Sequence, residues 1–204
     1  MQLIYAKPSP YSRKVRVVAL EKGLAGRIED VLASPMEDPA ALLDANPLGK
    51  VPALRLDDGR CLYDSWVICE YLDSLTPTPR LIPDGDARFD VLRRCALADG
   101  VLDAAVTARL ELLRPEDHRW APWTDRQRRA IARGLAAMEQ DLAGLGPALT
   151  SPLTLAHIEF AVALEYLDFR FPDIAWRDAH PALAAWLAEF SQRPSMRATV
   201  PPAP

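Results

Sequence analysis

The sequence contains few cysteines and no long apolar run, and each lack excludes a class of protein. Among its 204 residues, three are cysteines, Cys61, Cys69 and Cys95, and no two of them form a C-x-x-C pair. An odd set without such a pair argues against a disulfide framework and against a zinc site. No run of 18 apolar residues offers a membrane span. We therefore expect neither a disulfide scaffold nor an integral membrane protein, and we expect no bound metal.

The charge pattern and the first residues exclude two further classes. The net charge is −4, with acidic and basic residues interspersed, which argues against a nucleic-acid partner. Four arginines on one helical segment are typical of a solvated helix face; they are Arg126, Arg128, Arg129 and Arg133. The chain starts with a strand pattern and lacks the basic and apolar stretches of a signal peptide. We expect a cytoplasmic protein.

The first 75 residues alternate between strand and helix patterns. Their order predicts βαβαββα, which is a parallel strand pair followed by an antiparallel pair, with helices covering the sheet. This is the pattern of an α/β thioredoxin-like domain. The predicted elements are a strand at Gln2–Tyr5, a helix from Pro10 to a stop at Gly23, a strand at Arg27–Leu32, a helix capped by Asp38, strands at Ala53–Leu56 and Cys61–Tyr63, and a helix from Asp64 to Leu75.

After residue 75 the strand patterns stop. Residues 76–86 are rich in Pro and Gly and predict a linker. Residues 87–204 then form the second predicted domain, an all-α C-terminal helical bundle. Helical spacing of apolar residues occurs near 87–113, 124–144, 154–170 and 181–192.

Ser9 stands directly before the first helix and is a candidate for anion binding. Unpaired amides and the positive end of the helix dipole favour an anion at that position. A thiolate is such an anion, and a hydroxyl that donates to it contributes ~1.5–3 kcal/mol. This corresponds to about one to two units of thiol pKa. The alternative is that Ser9 serves only as a helix N-cap.

A second candidate segment follows between residues 50 and 65. A cis peptide bond at Val51-Pro52 would leave the valine backbone as a free edge, which can pair with a peptide ligand. At Asp64-Ser65, helix amides and the Ser65 hydroxyl could bind a carboxylate, while Asp64 binds an ammonium group. Lys50 could hold a second carboxylate. The alternative for Asp64-Ser65 is again a simple cap.

Together these motifs resemble the glutathione transferase family, particularly its serine-type bacterial and tau-like members. The motifs occur in family order: S-P-Y-S-R-K at 9–14, N-P-L-G-K-V-P at 46–52, D-S at 64–65 and R-P-S at 193–195. The resemblance implies a glutathione thiolate stabilised by Ser9 and a cysteinyl backbone paired with Val51 beside a cis Pro52. It further implies a glycine carboxylate held by Lys50, a γ-glutamyl end held by Asp64 and Ser65, and a homodimer.

The second substrate, a small electrophile, is expected on the helical half. Ala96, Gly100, Asp103 and Thr107 recur at helical spacing and share a face. These residues could line an open pocket with Tyr11 on the opposite wall. The alternative role for the small residues is close helix packing.

One departure from the family pattern concerns Thr154-Leu155-Ala156-His157. The family commonly has an acid at the fourth position, as part of a capping box. His157 replaces that acid, which puts the reciprocal cap in doubt. We predict a structural histidine.

The leading hypothesis for function is activation of the glutathione thiol for attack on an electrophile, a detoxification chemistry. Glutathione-dependent reduction of disulfides or dehydroascorbate is an alternative. It is disfavoured because Ser9 and Ser12 occupy the places where related proteins carry a cysteine. A non-catalytic glutathione or ligand carrier is the third possibility.

Overall fold

A computed structural model describes residues 1–202 and divides them into two compact units. The first unit contains Met1–Ile82 and the segment that follows Gln192; the second is Pro83–Gln192. We predicted residues 87–204 as one domain, whereas the last segment groups with the first unit. Ala203 and Pro204 lie outside the described residues.

The first unit has the predicted βαβαββα order. Its sheet has the strand order β2-β1-β3-β4, in which β1 and β2 are parallel and the other two pairs are antiparallel. This confirms the thioredoxin-like class. The elements are β1 (Gln2–Tyr5), α1 (Pro10–Glu21), β2 (Glu29–Leu32), α2 (Ala40–Ala45), β3 (Ala53–Arg55), β4 (Cys61–Leu62) and α3 (Ser65–Ser74).

The strand registers bring three chain segments to one end of this sheet. Ile4 near the end of β1 pairs with Ala53 at the start of β3. Leu54 in turn pairs with Leu62, the last residue of β4. Because β3 runs antiparallel to both neighbours, the residues after β1, before β3 and after β4 lie at the same end. The predicted glutathione residues of the first unit flank these strand ends.

The start of α2 differs from the prediction. We expected Asp38 to cap this helix, but Asp38 has a left-handed backbone with φ of 45°. The N-cap is Pro39, which has an extended backbone, and the helix begins at Ala40. An N-cap residue needs an extended backbone, so the left-handed Asp38 does not cap the helix. Leu42 and Ala45 of α2 are buried in the core of the first unit.

The second unit consists of helices. The long helix α6 is buried on nearly every side and forms its core. Among the described residues, no helix is both long and apolar enough to cross a membrane. The helices are α4 (Asp86–Leu112), α5 (Ala121–Leu145), α6 (Leu155–Arg170), α7 (Trp176–Ala179) and α8 (Pro181–Phe190); the last helix of the chain, α9 (Pro194–Ala198), belongs to the first unit.

Candidate functional site

Ser9 is the N-cap residue of α1. Its backbone is extended (φ −79°, ψ 122°), and Pro10 follows as the first helical residue. The Ser9 Oγ accepts a hydrogen bond from the Ser12 N–H at 3.2 Å. A hydroxyl can accept in this way and still donate its own proton. The cap that we considered as an alternative is therefore present, and it is compatible with donation to a ligand.

A second serine, Ser12, holds the loop between β1 and α1. Ser12 is fully buried, and its Oγ accepts from the Ala6 N–H at 3.4 Å. The Ser9 N–H donates to the Ala6 carbonyl at 3.1 Å. These bonds fix the position of Ser9 relative to the first turn of α1. The sequence placed Ser12 beside the site but did not indicate this role.

The segment before β3 is shaped by Asn46, a buried residue that sequence reasoning missed. The Asn46 Nδ2 donates to the Lys50 carbonyl at 2.8 Å, and the Asn46 Oδ1 accepts from the Leu48 N–H at 3.1 Å. The second bond forms an Asx-turn, in which an Asn side chain bonds the backbone two residues ahead. The Val51-Pro52 peptide bond is cis, as the resemblance implied. Lys50 itself is exposed.

Asp64 and Ser65 form the start of α3. Asp64 is the N-cap, and its Oδ1 accepts from the Trp66 N–H at 3.0 Å. Asp64 is exposed, whereas Ser65, the first residue of α3, is buried. The second carboxylate oxygen of Asp64 and the first amides of α3 are the groups that an amino-acid end could bind.

The sheet brings these segments together. The loop with Ser9 follows β1, Val51 and Pro52 precede β3, and Asp64 follows β4, so all lie at one end of the sheet. Helices α1 and α3 both begin at this end. Two helix starts supply several amide donors and two positive dipole ends. This arrangement suits an anionic, peptide-like ligand.

A buried cation, Lys14, lies beside the same two helix starts. Its side chain is fully buried, and its Nζ is 5.4 Å from the centroid of the Trp66 ring and 5.8 Å from that of Tyr11. Lys14 was part of the family motif but was assigned no role.

The residues predicted for the second substrate occupy an open face of α4. Gly100 and Asp103 are exposed and Thr107 is half-buried. A Cβ built at Gly100 meets no atom within 4 Å. At Gly100, therefore, no other helix of the described chain packs closely. Tyr11, the remaining predicted residue, is half-buried in the first turn of α1 in the other unit.

His157 completes the cap that the sequence put in doubt. The Thr154 N–H donates to the His157 Nδ1 at 3.2 Å, and the Thr154 Oγ1 lies 2.8 Å from the same nitrogen. The imidazole thus takes the place of the family acid as an acceptor. The ring is buried, with its centroid 6.2 Å from that of Trp186 and 6.3 Å from that of Phe190.

In residues 1–202, no group of three or more His, Cys, Asp or Glu side chains could hold a metal ion.

Comparison with known proteins decides the family. Residues 8–75 match the family "Glutathione S-transferase, N-terminal domain", and residues 121–189 match "Glutathione S-transferase, C-terminal domain". The chain belongs to the glutathione S-transferase family. It is 33% identical over 203 residues to an uncharacterized GST-like protein, YibF, of Escherichia coli (strain K12), and the match covers 99% of each chain.

Solved structures of other glutathione transferases are similar over the whole chain. One is a glutathione transferase family member from Pseudomonas fluorescens Pf-5 with bound glutathione, at 49% identity and a TM-score of 0.93, covering 99% of both chains. A further structure from that organism, with bound S-(propanoic acid)-glutathione, has 47% identity and a TM-score of 0.89 and covers 100% of both chains. These relatives bind glutathione or a glutathione thioether.

Proposed function

We propose that this glutathione S-transferase binds glutathione in its first unit and activates the thiol for attack on a small electrophile. The observation that carries the proposal is the Ser9 hydroxyl. Its oxygen accepts from the Ser12 N–H at 3.2 Å, so the O–H proton is available to a ligand sulfur at the start of α1. The structures of relatives with glutathione and with a glutathione thioether support this reading.

The remaining ligand contacts follow from the chemistry of each segment. Val51, next to the cis Pro52, pairs with the cysteinyl backbone of glutathione. Lys50 holds the glycine carboxylate. Asp64 binds the γ-glutamyl amine, and Ser65 binds the γ-glutamyl carboxylate together with the first amides of α3. Each of these residues lies at the same end of the sheet as Ser9.

The proposed mechanism is stabilisation of the thiolate by a serine. A free thiol has a pKa of about 8.5, so only a small fraction is ionised near neutral pH. Donation from the Ser9 hydroxyl lowers the thiol pKa by about one to two units, because a hydrogen bond to a charged group contributes ~1.5–3 kcal/mol. The thiolate then attacks the electrophilic carbon, a C–S bond forms, and a leaving group departs with its electron pair or an adjacent atom takes up the charge.

An ultraviolet titration of the thiolate in the glutathione complex tests the role of Ser9. We expect Ser9→Ala to raise the thiol pKa by about one to two units and to lower kcat/KM about 10- to 100-fold at neutral pH. Ser74→Ala is the control, because Ser74 is exposed at the end of α3 and donates to the Tyr71 carbonyl. An unchanged thiol pKa together with unchanged turnover would refute the assignment.

The electrophile-binding residues remain a proposal. Four residues form the proposed set, namely Tyr11, Gly100, Asp103 and Thr107. A substitution at any of these four should change the KM for the electrophile more than the KM for glutathione.

Glutathione binding without turnover of any electrophile would instead indicate a carrier. Reduction through a protein thiol is disfavoured, because Ser9 and Ser12 stand where that chemistry places cysteine.

The family resemblance also supports a homodimer and a cytoplasmic location. Light scattering of the purified protein tests the first proposal, with a particle of twice the chain mass as the expected result. Fractionation of the source cells tests the second.

A further inference from the structure

The C-terminal helix α9 lies along α1 and bonds to both of its ends. At the last residue of α1, Arg193 and Ser195 from the start of α9 donate to Glu21. In the first turns of α1, the Arg13 guanidinium donates to the Met196 carbonyl at 3.3 Å. The two helices are therefore antiparallel, and the end of α9 lies beside the start of α1.

The contact at the start of α1 is made by a buried arginine. Arg13 and its second acceptor, Thr199, are both nearly fully buried, and the Arg13 Nε donates to the Thr199 Oγ1 at 3.4 Å. Thr199 in turn donates to the Ser195 carbonyl at 2.9 Å, so its hydroxyl belongs to the bonded end of α9. The last carbonyls of a helix lack partners within the helix, and a guanidinium can bond two acceptors at once. Arg13 thereby joins the start of α1 to the carbonyl end of α9.

Arg13 is also one of the two residues of α1 whose amides bond to Ser9. Its N–H donates to the Ser9 carbonyl at 3.0 Å, and the Ser12 N–H donates to the Ser9 Oγ at 3.2 Å. The side chains of both residues are anchored outside α1. Ser12 accepts from the Ala6 N–H directly after β1, and Arg13 donates to α9. The position of Ser9 is therefore set from two sides, by the end of β1 and by the end of α9.

We propose that Arg13 is a positioning residue, which through its bonds to α9 fixes the turn of α1 where the Ser9 hydroxyl meets the glutathione thiol. The inference rests on the proposed function, in which Ser9 donates to that thiol. Arg13 acts through the backbone of Ser9. Because hydrogen bonds weaken steeply when their angle departs from linear, a loosened first turn weakens the bond to the thiolate while the hydroxyl is still present.

The ultraviolet titration of the thiolate in the glutathione complex tests this role. Arg13→Met removes the donors and keeps a long apolar side chain in the buried position. We expect the thiol pKa to rise by about half a unit to one unit, which is less than in Ser9→Ala, because the hydroxyl is retained but less well placed. At neutral pH, kcat should fall about 3- to 10-fold, and the KM for glutathione should change less than twofold, since the other proposed contacts remain. Arg13→Lys, which keeps a donor for the Met196 carbonyl, should reverse at least half of the rise in pKa.

The variant Thr199→Val tests whether Arg13 acts through α9. It loosens the same contact from the other side and leaves the charge of Arg13 in place. The thiol pKa should rise by about a quarter to half a unit. When Arg13→Met and Thr199→Val are combined, the rise should equal that of Arg13→Met alone, because both changes break one contact. If Arg13→Met does not fold, the thiol pKa of Thr199→Val decides the proposal.

The variant Glu21→Gln is the matched control, because it weakens the bonds between the same two helices at the end of α1 that is far from Ser9. We expect a less stable protein whose thiol pKa stays within about 0.2 units of wild type. A comparable rise in Glu21→Gln would assign the effect of Arg13 to general stability and would overturn the proposal.

Two further results would overturn the role of Arg13. One is a thiol pKa equal to that of wild type in Arg13→Met or in Thr199→Val. The other is an additive rise in the combined variant, which would mean that Arg13 acts by its charge and not through α9. If the thiol of glutathione bound to the wild-type protein keeps its ordinary pKa, the proposed function fails first, so the two failures are distinguishable.

Discussion

Ser9 and Asp64 are both helix caps, and in the proposed function each is also a ligand-binding group. The oxygen of each accepts from an amide two or three residues ahead, Ser12 for Ser9 and Trp66 for Asp64. Ser9 keeps an O–H proton to donate, and Asp64 keeps a second oxygen to accept. If the proposed function holds, removing either side chain changes helix stability and ligand chemistry together, so a useful variant has to separate the two effects.

The variant Ser9→Asp separates the effect on helix capping from the effect on the thiol. Aspartate is as good an N-cap as serine, so we expect the free energy of unfolding to stay within about 0.5 kcal/mol of wild type. The carboxylate cannot donate to a thiolate and repels it, so the thiol pKa in the glutathione complex should rise above that in Ser9→Ala. Chemical denaturation and the ultraviolet titration measure the two quantities. A thiol pKa equal to that of wild type would contradict the proposed role of the hydroxyl.

Lys50 should affect binding more than chemistry. The proposed contact to the glycine carboxylate is distant from the sulfur, so it stabilises the ground state and the transition state alike. We expect Lys50→Ala to raise the KM for glutathione about tenfold and to change kcat less than twofold. Arg60→Ala is the control, since Arg60 pairs with Asp58 in the turn at the other end of the sheet. A fall in kcat with an unchanged KM would argue against this contact.

Residue types at fixed spacings predicted the caps of α1 and α3, but not the cap of α2 or the groups that support the site. Serine before a helix and Asp-Ser before another are local signals, and both helices begin where these signals indicated. Lys14 contacts the Trp66 ring of another helix, and a contact between helices leaves no local pattern, so the sequence alone could not assign Lys14 a role. The hydrogen bonds of Asn46 stay within its own turn, so an Asn before Pro47 was a local turn signal that could have been used.

At the scale of elements, long periodic segments were predicted and short ones were missed. Helices α4, α5 and α6 each continue for several turns, so apolar spacing is sufficient to find them. The helices α7 and α9 have four and five residues, which is too short for a helical period to appear. Periodicity does not show which small residues are needed where two helices pack closely. The contact between α4 and α5 is an example.

Two glycines on these helices should respond in opposite ways to alanine. A Cβ at Gly134 of α5 would lie 2.3 Å from the Val101 Cγ2 of α4, whereas a Cβ at Gly100 meets no atom within 4 Å. We expect Gly134→Ala to destabilise the protein by about 1–3 kcal/mol through overpacking. Gly100→Ala should stabilise it by about 0.5–1 kcal/mol, because alanine favours the helix. Urea denaturation measures both; a destabilising Gly100→Ala would show that the α4 face is less open than described.

At the scale of the whole chain, the C-terminal segment completes the first unit. Arg193 binds Glu21 of α1 with two parallel hydrogen bonds of 2.8 and 2.7 Å, and the Ser195 hydroxyl also donates to Glu21. The Arg13 guanidinium donates to the Met196 carbonyl at 3.3 Å. The partners Glu21 and Arg193 are 172 residues apart in sequence. The R-P-S motif was recognised in the sequence. Its partner Glu21 could not be predicted, because a separation of this length leaves no periodic signal.

Glu21 should make the stability of this first unit depend on pH. Burial alone raises the pKa of its carboxyl group, but the hydrogen bonds from Arg193 and Ser195 and the charge of Arg193 outweigh burial, so the pKa lies below its ordinary value. A lowered pKa in the folded state means that the carboxylate stabilises the fold fully above the ordinary value of about 4.3. This stabilisation is lost as the pH falls from there through the lowered pKa.

The variant Glu21→Gln tests this dependence, because glutamine keeps the shape and removes the charge. Near pH 7 we expect Glu21→Gln to lower the free energy of unfolding by about 1.5–3 kcal/mol, the contribution of hydrogen bonds to a charged group. Below about pH 4 the difference from wild type should shrink progressively, and it is lost as the pH falls through the lowered pKa of Glu21, where the folded wild type takes up the proton. Glu29→Gln, at an exposed residue bonded to Gln2, should cost less than about 0.5 kcal/mol at either pH. A difference between wild type and Glu21→Gln that stays constant from neutral to acid pH would mean that shape, and not the charge of Glu21, binds the C-terminal segment to α1.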